Sequence, residues 1–434
     1  MLNKKFARRD FFKLTARAGA ALALPTIIPA AALGRGGAVA PSERITLAAI
    51  GIGPRGRLVL ESMLPEKDVQ FIAICDVQAS RRLAVKKMAD EHYGNQDCAM
   101  LRDFRELLAR PDLDAVLIAT GDRWHALASI MAARAGKDVY SEKPCGVTMV
   151  ECQAIDDTFR RTGRIFQAGT QRRTIANFTY AVHLAQSGQL GRLRTLHASV
   201  YTPRAEHAWL PAEPLPDSAE VDWDMWLGPA PWRPFNQDYV KGKWRGQYDF
   251  DAGGTLLDWG AHTVDLCQWA NNCDGTTPLE FVPGAKNVTA TYANGVKLVL
   301  DFLPDPFHDR APFYRTELGT CPVRFEGDEG WVETGDAGDL ITQPASLRNA
   351  RVVSRESGLR PVGHTRNFFD CVRSRAQPAA NSAIMRKSHV ACHAAAIAWE
   401  LGRALQFDPV KEEFIGNADA NRLRSRALRQ PWHM

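Results

Sequence analysis

In the otherwise apolar stretch GGTLLDWGAHTVDLCQWA (253–270), three polar side chains are spaced for shared chemistry. Asp258 and His262 are four residues apart and so lie on one face of a helix, with Asp265 on nearly the same side. A carboxylate one turn from an imidazole can take part in proton transfer, because an unperturbed imidazole titrates at about 6.5. The same spacing also suits a capping Asp with a buried, hydrogen-bonded His. Asp258, His262 and Asp265 would suit a metal site as well, but no further ligands stand at familiar spacings, and no metal is expected. The Gly253-Gly254 pair marks the helix start.

A second set of residues is spaced for a dinucleotide. ITLAAIGIGPRG (45–56) is a buried apolar run that ends in Gly51-x-Gly53-x-x-Gly56 and passes into the helical spacing of RLVLESML. The glycines serve a tight turn, backbone approach to a pyrophosphate, and close strand–helix packing, while the helix N-terminus offers N–H groups to phosphate. The next strand, VQFIAICDV, ends in Asp76, twenty residues after Gly56, the spacing for a carboxylate that bonds ribose hydroxyls. Because Asp76 would repel a 2′-phosphate, NAD is expected over NADP, and Arg81 and Arg82 just downstream soften that preference.

Beyond Asp76 the helix–strand alternation continues through FRELLARPDLDAVLIAT, HALASIMAARAGKDVYSEKP and VECQAIDDTFRRTGRIFQAGT. Repeated βα units with short loops predict a doubly wound parallel sheet, whose ligands sit at the carboxyl ends of the strands. Asp122, Trp124, His125 and Lys143 fall at such ends. Cofactor contacts are expected from Gly51, Gly53, Pro54, Arg55, Gly56 and Asp76, then from Thr120, Trp124, His125, Glu142 and Lys143. From about residue 170 the rhythm changes. LRTLHASVYT, KNVTATYA, GVKLVLDFL and CPVRFEGDEGWVET predict an α+β region with a mostly antiparallel sheet. The fold class is therefore α/β, divided as 1–40 signal and linker, 41–169 Rossmann domain, and 170–434 substrate-binding domain.

SEKPCGVTMVE, GGTLLDWGAH roughly 110 residues later, DWDMWLGPAPWRPFN, and the tail from HTRNFFDCVRSR onward together resemble the glucose–fructose oxidoreductase / inositol dehydrogenase / rhizopine-catabolism (Gfo/Idh/MocA) family. The resemblance covers residues 42–434. It implies hydride transfer from a ring hydroxyl to a nicotinamide, with Lys143 of the E-K-P motif and Asp258 and His262 of the D-x-x-x-H motif as the catalytic set. Such a reaction needs a base for the hydroxyl proton, for which His262 is suited, and a cation for the developing alkoxide, for which Lys143 is suited. The chain departs from its relatives at Gly121, where they often carry proline.

Seven of the eleven tryptophans lie between residues 209 and 269. Aromatic faces stack on sugar rings, so a carbohydrate or polyol is the expected small-molecule partner, although several of these rings also suit core or loop packing. Arg172, Arg173, Trp244, Arg245, Asp249 and His262 are candidate substrate contacts. Two other functions compete with a net oxidoreductase. One is a redox-neutral glycoside hydrolase or lyase of the same family, with Tyr180, His183 or His207 as an additional base. The other is a non-catalytic carbohydrate-binding or scaffold protein.

Residues 1–40 carry seven of the 54 basic residues and one of the 49 acidic ones, which leaves 47 against 48. The basic balance thus belongs to the N-terminus, and no nucleic-acid footprint remains. Arg8-Arg9, Phe11-Phe12-Lys13 and the following Ala/Leu run resemble a Tat export signal, which implies the export machinery as a partner and a periplasmic location. No segment is long and apolar enough for stable membrane insertion. Nine scattered cysteines without a C-x-x-C predict mostly free thiols, with a Cys267–Cys273 bridge as one alternative. A homo-oligomer is expected from the family resemblance.

Overall fold

Apart from the edge strand Ala99–Leu101, which is partly exposed, the strands of the first sheet are short runs largely buried on both faces, as a parallel sheet covered by helices requires. In this computed structural model the described residues are 39–303, 318–348 and 360–434. The N-terminal stretch read as an export signal lies outside them. Residues from Ile45 onward form one compact unit.

The first sheet is assembled from β1 (Ile45–Ile50), α1 (Pro54–Met63), β2 (Val69–Cys75), α2 (Ala79–Tyr93), β3 (Ala99–Leu101), α3 (Phe104–Leu108), β4 (Ala115–Ile118), α4 (Asp122–Arg134), β5 (Asp138–Ser141), α5 (Met149–Thr162) and β6 (Phe166–Ala168). Its strand order is β3-β2-β1-β4-β5-β6, and all pairs are parallel. The order reverses between β1 and β4, which opens a crevice at the strand ends, where Gly51 and Thr120 meet.

The second sheet follows α6 (Ala176–Gln186). Its strands are β7 (Leu193–Tyr201), β8 (Glu280–Pro283), β9 (Asn287–Thr291), β10 (Lys297–Leu303), β11 (Val323–Gly327), β12 (Trp331–Thr334), β13 (Leu340–Gln343), β14 (Leu405–Asp408) and β15 (Glu413–Phe414). They lie in the order β13-β12-β11-β7-β10-β9-β8-β14-β15. All pairs are antiparallel except β7 with β10. The expected mostly antiparallel second sheet is therefore present.

Between β7 and β8 come α7 (Trp223–Leu227) and α8 (Leu256–Ala270). Every residue of α8 except Asp258 and Trp269 is buried, because the helix is wedged between β7 and α10 (Ser382–Leu401). The chain enters α8 through three consecutive left-handed residues, Gly253, Gly254 and Thr255, at φ of +61°, +57° and +77°. A Cβ on Gly254 would lie 3.0 Å from the Arg204 backbone, so the glycine is required by space as well as by φ.

Late in the chain, α9 (Val362–Ser374) returns to the first sheet. It packs on α1, and Arg366 donates to Glu66 at 2.6 Å and Asp68 at 2.8 Å. All nine cysteines are buried free thiols. Among the described residues, no helix is long and apolar enough to cross a membrane.

Candidate active site

The dinucleotide cradle is shaped by its glycines. Gly51 has φ +69°, and a Cβ there would sit 2.3 Å from Thr120 Cγ2. A Cβ on Gly56 would lie 2.8 Å from that of Ala119, so close helix–strand packing needs a glycine here too. Gly53 caps α1 and Pro54 opens it, with φ preset and no N–H to lose. Asp76 directly follows β2 as a buried side chain. Its Oδ2 accepts from the Ile52 N–H at 2.9 Å and its Oδ1 from the Gln78 N–H at 2.8 Å. Burial raises this carboxyl, and the Arg81 charge opposes the rise. The cavity beside it is lined by Gly51, Asp76, Gln78, Arg81, Thr120 and Trp124. A crevice kept open by side-chain-free turns, a helix N-terminus and a fixed carboxylate fits a dinucleotide, whose pyrophosphate would meet the turn and whose ribose would meet Asp76.

The next cavity along the crevice, of about 310 Å³, is lined by Thr120, His125, Glu142, Lys143, Arg172, Asp258 and His262, among others. Here the two sheets contribute to one ion pair. Lys143, in the turn after β5, donates from Nζ to Asp258 Oδ1 at 2.8 Å and to the Asp258 carbonyl at 2.7 Å. Arg245 stands 3.1 Å from the same Oδ1. Burial alone would raise the Asp258 carboxyl, but the Lys143 and Arg245 charges outweigh it and hold the group down at about 2. Asp258 is therefore an anion in service to Lys143.

One turn on, His262 Nε2 lies 2.7 Å from Arg172 Nη1. A guanidinium has only hydrogens to offer, so Nε2 accepts and the ring proton sits on Nδ1, which has no partner. Burial, then the Arg172 and Lys143 charges, keep His262 neutral by lowering its pKa well below the usual value. In this arrangement the Nδ1–H of the imidazole is buried without a partner. Its acceptor nitrogen is already occupied.

The remaining candidates divide clearly. Arg55 pairs with Glu142 at 3.2 Å, and Glu142 also accepts from Gln171 at 2.9 Å, so both brace the cavity wall. His125 sets Nδ1 against the Pro144 carbonyl at 2.6 Å and Nε2 against that of Thr120 at 3.1 Å, tying together the ends of β4 and β5. Trp124 donates to the Met225 carbonyl and packs edge-on against Phe104 and Trp432. Arg172 and Arg245 line the cavity. Arg173 does not line it. Its guanidinium is buried between Asp265, at 2.6 Å, and Asp274, at 2.7 Å. That pairing also commits Asp265. Trp244 packs beside the Trp223–Phe250 cluster, and Asp249 accepts from Arg233. Of the seven clustered tryptophans only Trp259 lines the cavity, while Trp223 and Trp226 stack on each other in a core.

Residues that sequence reasoning passed over complete the wall. Tyr201, Thr320 and Cys321 line it. Asp336 holds Arg172 through Nε at 3.1 Å and so fixes the arginine that meets His262. Asp122, noted only as a strand-end residue, lines the same cavity, and Asp251 is buried behind it. None of these carries a local motif; the chain brings them in from five separate segments, the end of β7, the start of α4 and three loops.

Comparison with known proteins matches residues 45–170 to the Gfo/Idh/MocA model described as "Oxidoreductase family, NAD-binding Rossmann fold". Residues 204–326 and 354–434 match the companion model, "Oxidoreductase family, C-terminal alpha/beta domain". The chain is 27% identical over 258 residues to the uncharacterized oxidoreductase YrbE of Bacillus subtilis, covering 59% of each chain. It is 26% identical over 175 residues to inositol 2-dehydrogenase of Salmonella typhimurium, covering 39% of this chain and 48% of that one. It is 35% identical over 134 residues to a glycosyl hydrolase family 109 protein of a Shewanella species, covering 29% and 28%. These matches span from just over a quarter to about three fifths of the relatives' lengths. The solved aldose-aldose oxidoreductase of Caulobacter crescentus shares the fold at a TM-score of 0.58 and 18% identity, over 84% of this chain and all of that one. The two family models together match well over half the chain, which belongs to the Gfo/Idh/MocA family of NAD-binding oxidoreductases.

Proposed function

We propose that the protein is an NAD-dependent oxidoreductase acting on a ring hydroxyl of a sugar, glycoside or polyol, with Lys143, Asp258 and His262 as its catalytic set. The observation that carries this reading is the Lys143–Asp258 pair, contributed by both halves of the fold to a cavity next to the dinucleotide cradle. The bound cofactor supplies the hydride acceptor. The chain's own residues do the rest. Lys143 is placed to stabilise an alkoxide and to pass a proton, Asp258 holds the ammonium in position, and His262, held by Arg172, forms the cavity wall beside them. Asp76 favours NAD over NADP by repelling a 2′-phosphate.

A redox-neutral glycoside hydrolase or lyase is the second reading, favoured by the similarity to the glycosyl hydrolase family 109 protein. Of the additional bases expected for it, Tyr180 donates to the Leu347 carbonyl, and neither it, His183 nor His207 lines the cavity. Tyr201 does line it and would take that role. Export through the Tat route belongs to the same proposal, because an exported protein must carry its cofactor folded in, and so must recycle it on the enzyme.

The test uses purified protein and a panel of sugars, inositols and glycosides, followed by near-ultraviolet absorbance of the reduced nicotinamide and by mass spectrometry. A rise in absorbance with a product lighter by two hydrogens supports the oxidoreductase. Free sugar released from a glycoside without net absorbance change supports the second reading. Unchanged turnover in Lys143→Ala would sink both site assignments.

A further inference from the structure

Two buried carboxyls beside the cavity have no cation of their own. Asp122, the first residue of α4, is 1% exposed and lines the cavity. The Ala252 backbone N–H meets its carboxyl, and Oδ2 has no partner. Asp251, fully buried, accepts from the backbone N–H groups of Gly246 and Thr255. The charges that face Asp122 are those of Arg245, Asp258 and Lys143, while Asp122, Arg245 and Asp258 face Asp251. Arg123 is adjacent in the chain but turns away. Its guanidinium donates to the Trp226 carbonyl at 2.6 and 2.9 Å and lies over the Trp226 ring. The neighbouring Cys145 thiol and His125 ring are kept uncharged by burial.

Lys143 and Arg245, which both contact Asp258, therefore serve three carboxylates, since Arg172, whose charge also bears on Asp258, is paired with Asp336. Burying a carboxylate without a partner costs more than protonating it, so one proton belongs in this cluster. Asp258 is held by two ion pairs and is the least able to take it. We propose that Asp122 and Asp251 share one proton in the cofactor-free protein, and that this pair is where the substrate's hydroxyl proton is stored after Lys143 relays it. Burial raises both above the usual carboxylate range, the Asp258 charge adding to the rise at each and the Asp122 charge at Asp251, in keeping with one shared proton.

The proposal rests on the oxidoreductase reading for its chemistry. An oxidised nicotinamide ring is cationic and a reduced one is neutral. With the oxidised form bound, the cluster is balanced without its proton, which is released. On oxidation, the substrate C–H bond breaks and its electron pair leaves with the hydrogen to the cofactor. The O–H bond breaks as well, and its electron pair becomes the second bond of the C=O. Lys143 takes that proton as it gives one of its own to the Asp122–Asp251 pair. The pair regains the proton it had lost, and reduction of a ketone would withdraw it again. Asp122 and Asp251 are thus positioning residues that act through Lys143.

The first test is an infrared difference spectrum of cofactor-free wild type minus Asp122→Asn near neutral pH. The proposal expects a protonated-carboxyl C=O band in wild type that is lost in Asp122→Asn and in Asp251→Asn, and kept in Asp122→Glu. Asp251→Asn also serves should Asp122→Asn fold poorly. The second test adds NAD⁺ or NADH to wild type in weakly buffered solution. NAD⁺ should release up to one proton per chain more than NADH, and Asp122→Asn should show no such difference. A band that survives both Asn substitutions, or equal proton release with both cofactor forms, would overturn the proposal. A wild-type band with no hydroxyl compound oxidised would sink the proposed activity and leave the shared proton standing.

Discussion

Arg172 holds the Nε2 of His262 at 2.7 Å, and the other ring nitrogen is left without a partner. This reverses the role that the Asp-x-x-x-His spacing suggests, since a base needs a free lone pair and Arg172 occupies it. The expected outcome is that His262 stays neutral and Nδ1-protonated wherever the protein is folded. Nitrogen-15 imidazole spectra should show that tautomer in wild type. In Arg172→Met the ring should become titratable closer to its ordinary range, because one of the causes that lower it is removed. A wild-type imidazole that titrates normally would refute the assignment.

Lys143 and Asp258 form the contact on which the chemistry depends, so their substitution should be felt in the chemical step. Lys143→Met should lower single-turnover rates by about 10²–10⁴-fold, the range of a lost proton-transfer group. Asp258→Asn leaves the ammonium without its anion and should lower kcat more than it raises KM. Titration of NADH fluorescence should show cofactor affinity within a few-fold of wild type in both variants. A loss confined to cofactor binding would remove the pair from the catalytic set.

The cradle residues were legible from sequence because each answers to a local demand. Only glycine tolerates the φ of Gly51 and the approach of Thr120, and the Asp76 spacing follows from the length of one βα unit. The E-K-P and D-x-x-x-H motifs are local in the same way. What could not be read is direction and return. Arg172 and Arg173 are neighbours on one short turn, yet one faces the cavity and the other the Asp265–Asp274 pair, a choice made by packing of distant segments. Asp336 and Asp251 approach from loops with no motif. Nor does the α/β rhythm reveal that α9, some two hundred residues beyond the first sheet, comes back to cover α1.

Asp76 bears the cofactor preference. Wild type should bind NAD more tightly than NADP, and Asp76→Ser should narrow that ratio, because Arg81 stands in the same cavity and Arg82 beside the Asp76 backbone, both ready to meet a 2′-phosphate. The measurement is the ratio of dissociation constants for NADH and NADPH by fluorescence. An unchanged ratio would mean that Asp76 does not contact the ribose. The substitution also leaves the Ile52 and Gln78 N–H groups without their carboxylate, so some loss of affinity for both cofactors is expected.

His389 and His393 on α10 give a pH prediction with a definite sign. Both are buried, and burial lowers each to about 3. The unfolded chain binds a proton at each near the ordinary value of about 6.5. Between these limits the unfolded state holds more protons than the folded one, so these groups make stability fall as pH drops below about 6.5, levelling near 3. Replacing His393 by Gln should make that decline shallower by up to one proton per molecule in chemical denaturation across this window. A steeper decline in the variant would contradict the buried, neutral state.

Arg173 is the decisive case for separating structure from substrate recognition on the turn it shares with Arg172. Its guanidinium is satisfied by two carboxylates, one of them almost fully buried, and reaches no part of the cavity. Removing one partner of a buried ion pair leaves the other charges uncompensated, at a cost of about 3–5 kcal/mol. Arg173→Met should therefore lower stability by that order in denaturant unfolding, while KM of the surviving folded enzyme stays near wild type. Arg172→Met should do the opposite in kinetics, raising KM and lowering kcat, because Arg172 lines the cavity and fixes His262. If Arg173→Met instead raises KM strongly at unchanged stability, the ligand reaches deeper into the fold than the cavity walls indicate, and Asp265 would have to be exchanging its arginine for a substrate hydroxyl.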